Sequence, residues 1–95
     1  MDLKYIIKYL TNHTEKVVIE TMEELLSSEF KNICTCDNCL QDIATYALNR
    51  IPASYVSTHH GEVQTRINNF EKQSHADVIA VVTKAIKTVS SDPRH

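Results

Sequence analysis

The sequence predicts an all-α protein: a small helical domain with a long C-terminal helix. Two observations carry this. The 95 residues include only one glycine and two prolines, with 42% apolar content, which suits an ordered chain made mostly of helices. Apolar residues also recur at spacings of three and four through the N-terminal, middle and C-terminal thirds. At this length, residues 1–95 form a single domain.

The elements follow in order. Leu3, Ile6, Ile7 and Leu10 repeat at helical spacing behind Asp2, a candidate N-cap, and predict a short first helix that precedes the next or joins it across Asn12. Between residues 14 and 29, Val18, Met22, Leu25 and Leu26 form an apolar stripe with Glu15, Lys16, Glu20, Glu23 and Glu24 largely between them, the pattern of an amphipathic helix. Residues 30–36 lead to Asp37, read as the N-cap of a helix whose stripe is Leu40, Ile43, Ala44, Ala47 and Leu48. Pro52 ends it, because the residue before a proline is pushed out of the helical region. Residues 51–61 read as an extended loop: Pro52, Ser54, Ser57, Thr58 and Gly61 are turn formers, and Tyr55-Val56 favours extended backbone.

Beyond the loop, Val63, Ile67 and Phe70 stay in phase with Val78, Val81 and Ala85, although residues 73–77 between them are polar. The phase predicts one helix over residues 62–90. The alternative is a break near Ser74, where Ser74-x-x-Asp77 would cap a separate last helix. An unbroken helix of about 29 residues is roughly 43 Å long, whereas a compact chain of this size has a radius of gyration of about 12 Å. Such a helix overshoots its own globule. Its protruding apolar stripe calls for cover by another chain, which predicts an intertwined homodimer with the long helices in the interface.

Composition narrows the function. A net charge of −2 argues against broad binding to nucleic-acid polymers through their phosphates. No signal-peptide pattern is visible, and no run of 18 apolar residues occurs, so a cytoplasmic protein without a membrane span is expected. Carboxylates are scattered along solvated helix faces, and neither a Gly-rich phosphate loop nor an H-E-x-x-H pattern is present, so no enzyme is expected.

The chemistry is concentrated in Cys34-x-Cys36-x2-Cys39, which holds all three cysteines. An odd number suits a reduced or metal-bound cluster better than a disulfide framework. In an extended segment Cys34 and Cys36 point the same way, and Cys39 falls in the first turn of the following helix, so all three can face one point. Thiolates are good zinc ligands, but a tetrahedral structural site wants four donors. Candidates for the fourth are His95, placed after the helix-ending Pro93, His59 and His60 in the loop, Asp37, or water. Two other readings compete. Thiol redox proteins place C-x-x-C after a strand in an alternating strand and helix pattern, which is missing here. Inert buried cysteines are ordinary core residues, though three on one short turn fit that less well.

The run Cys34-x-Cys36-x2-Cys39-x2-Asp42-Ile43, then Ala47-Leu48-Asn49-x-Ile51-Pro52-x2-Tyr55-Val56, then Gly61-Glu62-Val63 and the terminal Pro93-Arg94-His95 resembles the late competence development protein ComFB family of bacteria. The resemblance spans almost the whole chain. It departs at Ala53, where the family often has a second proline, and in lacking the fourth cysteine that some relatives use for zinc near the C-terminus. By position that puts His95 forward as the substitute ligand. The resemblance implies a dimeric, non-catalytic zinc-binding protein. It further implies a receptor for cyclic dinucleotides of the cyclic di-GMP type, acting in motility, biofilm or competence signalling.

A ligand with two phosphates and two bases asks for cationic, flat and polar side chains together. Asn49, Arg50, Tyr55, Thr58 and Arg66 supply these around the loop and form the candidate ligand-binding set, presented twice in a twofold dimer. The bound state would pass to an unidentified protein partner. The rival is a protein-interaction module with structural zinc and no small ligand. More ordinary roles for the same residues are a helix-end charge for Arg50, a loop anchor for Tyr55 and a solvated face for Arg66.

Overall fold

A computed structural model of the chain describes residues 1–57 and 62–94, with residues 62–74 given as helix backbone alone. The fold is carried by α1 (His13–Leu26), α2 (Asp37–Leu48) and α3 (Glu62–Ser91). A 3-10 turn, Lys4–Tyr9, precedes them. The strands β1 (Thr11–Asn12) and β2 (Tyr55–Val56) form a minimal antiparallel ladder, Thr11 opposite Val56 and Asn12 opposite Tyr55.

The first stretch departs from the expected α-helix. Six residues are too few to hold an α-helix without a buried face, and this turn buries none of its residues. Asp2 Oδ1 accepts the Lys4 amide at 3.1 Å, but Leu3 occupies the cap position. The joint at Asn12 is well made. Its Oδ1 accepts the Thr14 amide at 3.1 Å, capping α1, and the Ser54 amide at 3.3 Å, tying that cap to the loop after α2. Thr14 reinforces the tie, its buried hydroxyl donating to the Pro52 carbonyl at 2.7 Å.

In α1 the predicted stripe faces inward: Val18, Met22 and Leu25 are buried, with Leu26 packed beside them. The helix stops three residues short of the predicted end. The Ser27 and Ser28 hydroxyls both turn back onto the Glu24 carbonyl, at 3.1 and 2.8 Å, competing with continued helical bonding.

At the start of α2 the cap is Cys36, not Asp37. Cys36 is extended and its sulfur accepts the Cys39 amide at 3.5 Å, which makes Asp37 the first helical residue. There the Asp37 carboxylate still favours the positive end of the helix dipole. Ile43 and Ala47 are fully buried, and Leu40, Ala44 and Leu48 pack around them.

α3 runs unbroken through Ser74, as the hydrophobic phase predicted, so no separate cap forms there. Val78, Val82, Ala85 and Ile86 are buried against α1 and α2. The side chains of Val63, Ile67 and Phe70 lie outside the described residues. Thirty residues of α-helix span about 45 Å. The radius of gyration, 15.2 Å, exceeds the roughly 12 Å of a compact chain this long. Among the described residues, no helix is long and apolar enough to cross a membrane.

Candidate metal centre

The segment from residue 34 to 39 converges as its spacing predicted. The extended backbone at Cys36 hands the chain to α2, and the sulfurs of Cys34, Cys36 and Cys39 all lie within 4.8 Å of one another. Cys34 and Cys36 are exposed, whereas Cys39 is only 2% exposed, backed by the core. A zinc–sulfur bond of about 2.3 Å in tetrahedral geometry sets its sulfurs about 3.8 Å apart. Small side-chain rotations would bring this cluster to that spacing. Three soft donors on one short turn therefore fit a thiolate-binding metal such as zinc or copper(I).

The electrostatics agree. Burial pushes the Cys39 thiol up to about 12, assisted by its hydrogen bonds to Cys34 and Cys36. The Cys39 amide, donating to the Cys36 sulfur, holds that thiol below its ordinary range. Without a cation, three neighbouring thiolates repel and Cys39 keeps its proton; a divalent ion inverts that preference.

The C-terminal tail returns to this end of the molecule. After α3, Pro93 prevents further helix, and Arg94 reaches Asp42 on α2 with two bonds, Nε to Oδ2 at 3.0 Å and Nη2 to Oδ1 at 3.1 Å. The guanidinium holds the Asp42 carboxyl below its usual range. His95, the expected fourth ligand, lies outside the described residues, as do His59 and His60.

The other candidate set sits at the far end of α2. Asn49 is the C-cap, and Arg50 folds back so that its Nη1 donates to the Tyr46 carbonyl at 3.0 Å while its guanidinium lies 3.5 Å from the Tyr46 ring centroid. Tyr55 stands on β2, 59% exposed. Thr58 and the side chain of Arg66 lie outside the described residues. Tyr46 was missed in the sequence, although an aromatic four residues before an arginine at a helix end is a legible signal. The Asp42–Arg94 pair, 52 residues apart, had no local signature.

The family model of the late competence development protein ComFB matches residues 11–93. This chain belongs to the ComFB family. Competence protein ComFB of Bacillus subtilis (strain 168) is 25% identical over 84 residues, covering 88% of this chain and 85% of the relative. A solved structure of the late competence protein ComFB from Bacillus subtilis aligns with a TM-score of 0.66 at 25% identity, over 88% of this chain and 91% of that one. The span matched to ComFB includes the three cysteines, Asn49, Arg50 and Tyr55, and excludes the 3-10 turn, Arg94 and His95.

Proposed function

We propose that this ComFB-family protein is a non-enzymatic cytoplasmic regulator. Zinc fastens its α2, and its α2–β2 loop region receives a cyclic dinucleotide of the cyclic di-GMP type. The three sulfurs within 4.8 Å are the observation that carries the zinc assignment. Cys34, Cys36 and Cys39 hold the ion, with His95 as the fourth donor. The ion supplies a cross-link rather than reaction chemistry, joining the segment before α2 to its first turn. Loading is coupled to folding, because the ligands must be gathered and deprotonated together.

The receptor assignment is supported by family membership and by the chemistry at the other end of α2. The Arg50–Tyr46 stack presents a flat cationic surface, Asn49 offers both a donor and an acceptor, and Tyr55 exposes an aromatic face. Thr58 and Arg66 complete the set. A homodimer built on α3 would present it twice, which suits a ligand that is itself nearly symmetric. The bound state then biases contact with a protein partner in motility, biofilm or competence signalling.

Calorimetry of zinc-replete protein with cyclic di-GMP and cyclic di-AMP tests this. Saturable heat with one of them, reduced in Arg50→Ala, is expected; no heat with either removes the receptor assignment. One observation favours the rival reading, a module that only binds protein. Ile19, Met22, Glu23, Leu26, Leu40, Gln41 and Ala44 line an open apolar groove of about 340 Å³ between α1 and α2. Absence of heat, together with partner binding lost in Leu40→Asp, would establish that rival.

A further inference from the structure

Two apolar surfaces of this chain lack cover among the described residues. The first is the N-terminal arm, residues 1–10. Leu3, Ile6, Ile7 and Leu10 fall at the spacing of one helix face, yet in the single chain Leu3, Ile6 and Ile7 are exposed and the 3-10 turn buries none of its residues. The second is the groove between α1 and α2, where Ile19, Met22, Leu26, Leu40 and Ala44 surround an open apolar space of about 340 Å³, with no arm residue in its lining. Pairing of β1 with β2 holds the root of the arm at the start of α1, whereas the groove begins at Ile19 and runs to the far end of that helix. The charges of the two surfaces are complementary. Lys4 and Lys8 flank the apolar face of the arm, while Glu23 lines the groove and Glu20 stands one turn before it, all four exposed, on a helix with four glutamates and one lysine. An anionic lipid surface would attract the arm but repel the rest of the molecule, since the chain is net −2 although its arm is net positive.

We infer that the arm of a second copy of this chain docks in the α1–α2 groove, with Leu3, Ile6 and Ile7 against the apolar lining and Lys4 and Lys8 against Glu20 and Glu23. The groove supplies the partner surface that the helical spacing of the arm asks for and that so short a segment cannot do without. Reciprocal exchange about a twofold axis fills both grooves and leaves no free arm. The contact needs neither metal nor nucleotide. The arm precedes residues 11–93, the span matched to ComFB, so the contact belongs to an extension of this chain rather than to the shared domain alone. A protein partner that seeks the same groove has to displace the arm.

Photocrosslinking in the full-length chain tests the docking, with a diazirine side chain at position 7. An equal mixture of unlabelled and heavy-isotope protein lets mass spectrometry separate contacts within a chain from contacts between chains. Crosslinks should join position 7 of one chain to residues 19–26 or 40–44 of the other. Lys4→Glu with Lys8→Glu should lower their yield about tenfold, because opposed like charges repel. Glu20→Lys with Glu23→Lys should do the same. Mixing the two double variants should restore the yield, since each arm then meets a groove of opposite charge. All four positions are exposed, so both variants should keep the wild-type circular dichroism spectrum. Groove crosslinks confined to one chain, or a yield unmoved by charge reversal, overturn the inference. Absence of groove crosslinks also overturns it, and sedimentation of that protein with phosphatidylglycerol vesicles would assign the arm to a lipid surface instead.

Discussion

Replacing Cys36 with serine should move stability in opposite directions with and without metal. The residue has two jobs in the structure: its sulfur is one corner of the cluster, and it caps α2 by accepting the Cys39 amide at 3.5 Å. Sulfur is a weak acceptor, whereas serine is among the best N-cap residues. In metal-free protein, Cys36→Ser should therefore improve the cap and raise the melting temperature by about 2–4 °C. In zinc-replete protein the sign reverses. Zinc at a hundredfold its dissociation constant stabilises the native state by about 2.7 kcal/mol, roughly 10–20 °C in a domain this small. The variant, left with two thiolates, should lose most of that gain. Differential scanning calorimetry with excess chelator and with excess zinc reads both signs. An equal loss under both conditions would refute the reasoning, since it would make Cys36 an ordinary packing residue with no part in a metal site.

Ile43→Ala, at a fully buried position facing α1 and α3, should cost about 2–5 kcal/mol in urea unfolding with the helical circular dichroism spectrum retained, a large part of the stability of a 95-residue domain. Asn12→Ala removes the acceptor shared by the Thr14 and Ser54 amides, and should cost about 1–2 kcal/mol and speed amide exchange at Ser54, where a local loss confined to α1 would leave Ser54 unchanged. Asp42 has a folded-state pKa lowered by Arg94, so its pairing adds stability above the ordinary carboxylate range and loses it as pH falls through the folded value. Acid titration of melting temperature should show this loss in wild-type protein and less of it in Arg94→Gln, and identical profiles would contradict the pairing. In metal-free protein Cys39, raised to about 12, resists ionisation that the unfolded chain undergoes near 9, so stability should fall as pH rises between those values, with Cys39→Ala removing the slope.

Where periodicity was long, the sequence spoke clearly. The stripes of α1 and α2 and the described C-terminal half of the α3 stripe face inward as their spacing predicted, and one unbroken helix runs through the polar residues 73–77, as the phase of Val63, Ile67 and Phe70 with Val78, Val81 and Ala85 predicted. Short elements were less legible. At Lys4–Tyr9 the helical spacing was present, but none of the six residues is buried among the described residues, and hydrophobic periodicity alone does not stabilise so short a segment. The cap of α2 was misplaced by one residue because Asp37 outranks cysteine in cap preference. The extended backbone at Cys36 overrides that preference and aims its sulfur at the Cys39 amide. Convergence of the three thiols followed directly from their spacing. The Arg94–Asp42 contact did not, because it joins distant positions through tertiary packing that no local pattern encodes.

Zinc K-edge absorption on protein purified without chelator tests the central assignment most directly, because it counts the scatterers around the ion. One zinc per chain is expected, with three sulfurs at about 2.3 Å and one nitrogen at about 2.0 Å. Protein that carries no zinc, or a shell of nitrogen and oxygen alone, would contradict it.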